Sequence, residues 1–140
     1  MIESAEEFVR LRESEIEEEY ERAATDELPL NVCLDIIARF PHKKQWVVIN
    51  KTVPIEILEL LADDEDVRFE VATKRKLTRD LFLKLSKDPD ATVRERIACN
   101  AKTPIDILRG MYPDEWDYIN ETLEERIKAY EEKKNNLIGR

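Results

Sequence analysis

Glycine is nearly missing from this chain of 140 residues, which contains only Gly110 and Gly139. Tight hairpins and phosphate-binding loops use glycine where the backbone needs a positive φ. Its absence from the whole chain before Gly110 argues against a hairpin-rich sheet, and the sequence contains no phosphate-loop or nucleophile-elbow motif. We expect an all-α protein whose helices are joined by short turns.

Histidine and cysteine are also scarce. The one histidine, His42, follows Pro41 in a predicted turn, where we expect a surface residue rather than a general base. Cys33 and Cys99 lie far apart in the chain, in apolar patterns without metal-ligand spacing. We expect two buried, reduced thiols and no metal or cofactor. Because the many paired carboxylates suit helix caps and solvated surface, we also expect no enzyme activity.

Long apolar runs are absent, and the N-terminal sequence is acidic where a signal peptide would be apolar. We therefore expect no membrane segment. Together with reduced thiols, this pattern is typical of a cytoplasmic protein.

Charged residues make up 39% of the chain, and the net charge is −9. Residues 1–28 carry eleven acids and three bases, whereas residues 42–109 carry a net charge of +2. An acidic surface repels phosphate backbones, so nucleic acid is not the expected partner. Since hydrophobic residues still reach 42%, the sequence predicts a folded chain rather than a disordered one.

A repeat runs through the middle of the chain. The segment VVINKTVPIEIL (47–58) aligns without a gap on IACNAKTPIDIL (97–108), so that Asn50 matches Asn100. A third copy, VATKRKLTRDLF (71–82), lies between them at offsets of 24 and 26 but lacks both the asparagine and the proline. A period near 24 with insertions confined to turns is typical of stacked helical repeats.

Each repeat is predicted to contain two short helices. The first begins near Thr-Pro, as at Thr103-Pro104, where threonine can cap the helix and proline can occupy its first position. The second follows an aspartate cluster and carries Val-Arg. Asn50 and Asn100 close these helices, and we expect them in the left-handed conformation common after a helix end.

The segment DPDATVRERIACNAKTPIDILRGM resembles the variant leucine-rich repeat and, more broadly, HEAT-like helical repeats. The shared marks are the aspartates, Val-Arg, Ile-Ala-x-Asn, Thr-Pro and Ile-Leu, and the resemblance spans about residues 46–111. It implies a short right-handed α-solenoid that serves as a recognition scaffold. It also implies that Arg68 and Arg94 bridge aspartates of adjacent repeats as a structural ladder. Some relatives carry a cysteine-rich metal cluster, which two scattered cysteines cannot form.

We expect a single domain over residues 1–140. Residues 1–41 form N-terminal capping helices, of which the acidic first spans 4–22; residues 42–112 form the repeats; and residues 113–140 form a long amphipathic capping helix.

In HEAT-like stacks the second helices line the concave side, and positions between their core residues face outward. The sequence leaves alternatives open, because Trp46 and Phe69 also suit the core, and the basic segment 74–79 also suits a solvated turn. The candidate partner-binding residues are Trp46, Phe69, Glu70, Lys74, Arg75, Arg79, Arg96 and Asn100.

The sequence best fits a non-catalytic module that binds another protein. One alternative is an immunity-type or inhibitor protein that neutralises a basic partner such as a nuclease toxin, with the acidic helix 4–22 as its surface. A second is a HEAT-like nucleic-acid-binding protein, which the small charge of +2 over residues 42–109 disfavours.

The repeat register generates a first prediction. Ile97→Ala or Leu81→Ala should lower the free energy of unfolding by about 2–5 kcal/mol, because each removes buried methyl groups and leaves a cavity. Urea unfolding followed by circular dichroism measures the loss. A loss below about 0.5 kcal/mol at both positions would place them on the surface and contradict the register.

Overall fold

A computed structural model describes residues 1–139 and contains ten α-helices and no strand in that range. The all-α prediction is therefore confirmed. One 3-10 turn, Pro41–Lys43, precedes the fourth helix. The helices are α1 Ala5–Glu13, α2 Glu17–Thr25, α3 Leu30–Arg39, α4 Lys44–Ile49, α5 Ile55–Leu61, α6 Arg68–Ala72, α7 Arg79–Ser86, α8 Ala91–Cys99, α9 Ile105–Met111 and α10 Asp117–Ile138.

The acidic helix expected over residues 4–22 is in fact two helices, α1 and α2. Ser14 takes an extended conformation after α1, and its hydroxyl accepts a hydrogen bond from the Ile16 N–H at 3.0 Å. Serine competes with the helix for backbone groups in this way. The start of α1 is as predicted, since Ser4 Oγ accepts from the Glu7 N–H at 3.0 Å.

The chain divides into two compact units, Met1–Val71 and the part from Ala72 onward, and the division falls in α6. Each unit has its own buried apolar residues, including Phe8 and Leu11 in the first and Leu85 and Leu123 in the second. The core residues that the register predicts are all at most 6% exposed: Leu58, Val67 and Val71 in the first unit, and Leu81, Ile97, Ala98 and Leu108 in the second.

Asn100 ends α8 by a mechanism that the sequence did not predict. Its φ is −66°, so the expected left-handed conformation is wrong, and no described residue has a positive φ. The buried side chain instead donates from Nδ2 to the carbonyls of Ala72 at 3.0 Å and Lys74 at 2.8 Å, and Oδ1 accepts from the Lys102 N–H at 3.0 Å. One carboxamide thus satisfies three backbone groups around α6 and α8.

Asn50 plays the same part at the end of α4. Its Nδ2 donates to the carbonyls of Ala23 at 2.9 Å and Asp26 at 3.0 Å, and Oδ1 accepts from the Thr52 N–H at 2.8 Å. The matched residues Asn50 and Asn100 therefore make matched contacts, each to a pair of carbonyls about one repeat earlier in the chain.

Aspartate turns recur before the second helices. Asp64, Asp88 and Asp114 each accept a hydrogen bond from the backbone N–H two positions later, at 2.9, 2.8 and 3.0 Å. The spacing between these aspartates equals the two offsets that relate the copies of the repeat. The aspartate turn of residue 114 therefore continues the register past the last repeat that the sequence revealed.

Arg94, which the resemblance places in an arginine ladder, makes several hydrogen bonds within the second unit. Its guanidinium binds Asp114 with two hydrogen bonds, at 2.9 and 3.3 Å, and donates to the backbone carbonyls of Asp88 and Pro89. Lys44, which occupies the matching position in the first unit, binds Asp64 at 2.9 Å. Both cations thus hold an aspartate at the same separation along the chain.

Burial alone would raise the pKa of Asp114. The hydrogen bonds from Arg94 and from the Trp116 N–H outweigh burial and hold that pKa below its ordinary value. Asp114 is therefore ionised and carries the charge opposite to that of Arg94. Arg68 occupies the corresponding position in α6 and is half-buried.

The long helix α10 begins as a further second helix. Ile119 and Leu123 are buried one repeat after Val93 and Ile97, and Arg126 donates to the Ala98 carbonyl at 2.7 Å. Beyond Arg126, the apolar residues of the predicted amphipathic helix are less buried. Three of the apolar residues that follow are exposed: Tyr130, Leu137 and Ile138.

Proline stands one position earlier than expected, since Pro54 and Pro104 are the N-cap residues of α5 and α9. Thr103 does not cap α9. It is buried, and its hydroxyl donates to the Ile97 carbonyl at 2.7 Å, so it closes α8 instead.

The asparagine contacts generate a second prediction. Asn100→Ala leaves two carbonyls and one N–H without their partner, and we expect the free energy of unfolding to fall by about 1–3 kcal/mol. Asn31→Ala is the matched control, because Asn31 is exposed on α3 and should change stability by no more than about 0.5 kcal/mol. Equal losses in the free energy of unfolding for the two variants, measured by chemical denaturation, would show that the buried carboxamide of Asn100 does not stabilise the fold.

Candidate functional site

The first unit contains an open pocket of about 490 Å³. Arg12 of α1 lines it, together with residues at the end of α2 and along α4. The register explains the position of the α4 residues: Val47 and Val48 point into the core, so Trp46 and Ile49, on either side of them, face the pocket. The full lining is Arg12, Tyr20, Glu21, Ala23, Ala24, Thr25, Trp46, Ile49 and Lys51.

Arg12 is held against two aromatic rings. Its Cζ atom lies 3.3 Å from the centroid of the Trp46 ring and 4.2 Å from that of Tyr20. A guanidinium over an aromatic face gains a cation–π attraction, which is larger where water is excluded. Arg12 is half-buried, and its Nε is fully buried without a hydrogen-bond partner.

No acidic residue in the described part of the chain pairs with Arg12, although the sequence contains 32 acids. The neighbouring Arg10 binds Glu19, so acidic partners are available to the same helix. Lys51 and Glu21 are the other charged residues of the pocket, and its formal charge is therefore +1. In a chain of net charge −9, this pocket has the opposite sign to the whole.

A smaller pocket of about 210 Å³ occupies the matching register in the second unit. Here Arg96 stands at the repeat position of Trp46, and Cys99 at that of Ile49. The lining is Thr73, Arg75, Arg96, Cys99, Asn100 and Ala101. Arg75, Arg96 and Asn100, three of the candidate partner-binding residues, therefore line the same pocket.

Asn100 itself cannot act as predicted, however. It was expected to face outward, and it is 7% exposed with its amide donors committed to two carbonyls.

The other candidate residues are scattered. Phe69 and Glu70 are half-buried on α6, and Glu70 accepts a hydrogen bond from Gln45 at 3.1 Å. Lys74 is half-buried, which lowers its pKa. Arg79 forms an exposed ion pair with Asp106, outside both pockets.

The acidic stretch from Ser14 to Thr25 is the rival surface. Glu19 is bound by Arg10 and by Ser14, which together lower its pKa. By contrast, the exposed residues Glu15, Glu17 and Glu18 make no side-chain hydrogen bond or ion pair within residues 1–139. These three carboxylates are therefore available to a basic partner.

The cysteines differ from each other. Cys33 is buried as expected, and burial raises the pKa of its thiol to about 12. Cys99 is exposed, contrary to expectation, because it follows the core pair Ile97 and Ala98 and so turns away from them. His42 is exposed in the 3-10 turn, as expected.

Within residues 1–139 no three histidine, cysteine or acidic side chains are grouped in a way that could hold a metal ion. The same part of the chain contains no helix long and apolar enough to cross a bilayer. No protein-family model, curated protein or solved structure matches the chain.

Sequence reasoning missed Arg12 and Tyr20. A signal existed for Tyr20, since the offset of 24 continues backwards and superposes Ala23 and Ala24 on Val47 and Val48. Extending the register would have placed α2 among the second helices. Nothing in the sequence marks Arg12, because its contacts depend on how α1 packs.

The thiols generate a third prediction. In the native protein at pH 8, an aromatic disulfide reagent should label Cys99 quickly and Cys33 only on unfolding, since the thiolate is the reactive form and burial suppresses it at Cys33. The variants Cys33→Ser and Cys99→Ser assign the two phases. Fast native labelling of the Cys99→Ser protein would contradict the burial of Cys33.

Proposed function

We propose that this chain is a non-catalytic protein-binding module built as a short right-handed stack of helical repeats. The proposal of a repeat stack is supported by hydrogen bonds that recur in register, namely those of Asn50 and Asn100 and of the three aspartate turns. Local contacts that recur at the period of the sequence repeat are what stacked helix pairs require.

The observation that carries the binding function is the pocket around Arg12. Arginine, tryptophan and tyrosine are the residue types most enriched at interface hot spots, and Arg12, Trp46 and Tyr20 meet there. Tyr20 is 45% exposed and Ile49 38%, so a partner would cover aromatic and aliphatic surface that now contacts solvent.

A second candidate function is neutralisation of a basic protein, as in immunity-type inhibitors. The unpaired carboxylates of Glu15, Glu17 and Glu18 favour it, because complementary charge speeds the capture of a basic partner. Nucleic-acid binding has less support. Three of the cations on the repeats, Lys44, Arg79 and Arg94, are already paired with aspartates, which leaves fewer for phosphates.

Two sets of substitutions separate these functions. Tyr20→Ala with Ile49→Ala removes exposed apolar surface from the pocket without changing the charge. Glu15→Gln, Glu17→Gln and Glu18→Gln remove the unpaired carboxylates. A control set, Glu56→Gln, Glu59→Gln and Glu65→Gln, removes the same number of exposed charges elsewhere in the first unit.

Affinity capture from a lysate of the source organism should yield a protein that both the wild type and the control set retain. When its affinity is remeasured with purified components, the pocket set should bind it at least about tenfold more weakly. Loss confined to the acidic set, steeper at low salt, would instead establish the inhibitor function. Retention on heparin at physiological salt, with nuclease-sensitive partners, would overturn both.

A further inference from the structure

Arg12 has unpaired N–H groups at the pocket that it lines. Arg12 forms no hydrogen bond or ion pair within residues 1–139, and of its nitrogens only Nε is closed to solvent. Because the buried Nε cannot reach a ligand in the open pocket, a bound anion would contact the terminal N–H groups of Arg12. The two aromatic contacts, with Cζ 3.3 and 4.2 Å from the ring centroids, leave these terminal N–H groups without a hydrogen-bond acceptor.

The charge of the pocket suits one carboxylate. Arg12 and Lys51 supply two positive charges, and Glu21 supplies one negative charge. A planar guanidinium binds a carboxylate through two parallel hydrogen bonds, with geometry that an ammonium group lacks. A polyanion such as a nucleic acid or a run of acidic side chains would meet Glu21, with Glu17 and Glu18 one turn earlier on α2, and these carboxylates repel it.

Apart from Thr25, the uncharged part of the lining is aliphatic or aromatic. Ala23, Ala24 and Ile49 form walls within the same space of about 490 Å³ that holds the cations. A ligand that fits must therefore carry its carboxylate close to an aliphatic group. The last residue of a peptide chain does so, because its α-carboxylate and its side chain leave the same carbon atom.

We propose that this pocket binds the C-terminal residue of a partner protein, with the terminal carboxylate on Arg12 and Lys51 and an aliphatic side chain against Ile49. The proposal rests on the protein-binding function and names the part of the partner that is bound.

The test uses the full chain and small probes, so it requires no identified partner. Trp116→Phe leaves Trp46, which contacts Arg12, as the only tryptophan, and its fluorescence reports occupancy of the pocket. N-acetyl-leucine is the probe, and N-acetyl-leucine amide is the matched probe without a carboxylate. N-acetylglutamate α-amide carries its carboxylate on a side chain instead.

We expect N-acetyl-leucine to bind with a Kd on the order of 1 mM, as befits one residue of a longer ligand, and the amide to bind at least about tenfold more weakly. Arg12→Gln and Lys51→Gln should each weaken N-acetyl-leucine. Arg10→Gln is the control, since it removes a charge from the same helix outside the pocket. If Arg12→Gln unfolds, exposed Lys51 and the amide probe still decide the matter.

Equal binding of acid and amide, or no saturation below roughly 20 mM, would overturn the proposal. Tighter binding of N-acetylglutamate α-amide would overturn it too, in favour of an acidic side chain. These failures are distinguishable from failure of the protein-binding function, which is measured by partner capture with the Tyr20 and Ile49 substitutions.

Discussion

Two buried carboxamides hold the helix ends on which both units depend. A helix leaves its last carbonyls without intrahelical partners, and roughly a third to a half of helices resolve this with a left-handed residue, usually glycine. This chain has two glycines, and no described residue takes a positive φ. Asn50 and Asn100 instead donate to carbonyls at the end of an earlier helix, so each carboxamide closes that helix and attaches it to the helix that the asparagine follows. The scarcity of glycine and the packing of the helices are thus connected.

The ionic contacts fix how neighbouring segments are aligned along each other, and they contribute little to the free energy of unfolding. A buried ion pair loses much of its Coulomb energy to desolvation, whereas breaking one partner away leaves a costly unpaired charge. Arg94 and Asp114, with side chains 11% and 8% exposed, therefore penalise any sliding of α8 past the segment before α10. Such pairing also consumes basic residues inside the fold. In the first unit, the exposed carboxylates of Glu15, Glu17 and Glu18 have no such partner within residues 1–139.

The sequence predicts the helical class and the buried positions well, because both follow from a register that recurs in one chain. Ile97 and Leu81 are buried for the same reason that their repeat partners are apolar. The role of Asn100 could not be inferred, since a carboxamide that binds the distant carbonyls of Ala72 and Lys74 leaves no local pattern. Arg12 could not be inferred either, because its ring contacts join α1 to both α2 and α4. The sequence predicts one continuous acidic helix there, whereas the structure has a break at Ser14 that allows these contacts.

The internal repeat also provides a comparison within one chain. At core positions the residue type barely changes between copies, as Val47, Val71 and Ile97 show. The positions on either side change completely, which is seen in two series: Trp46, Glu70 and Arg96, and Ile49, Thr73 and Cys99. Because the backbone geometry recurs, the core positions must keep side chains of similar volume, whereas the positions on either side of them are not constrained in this way. The chemistry of the pockets is therefore independent of the scaffold. That independence is why an aromatic cage around Arg12 in one unit and an arginine pair beside Cys99 in the other can occupy the same register.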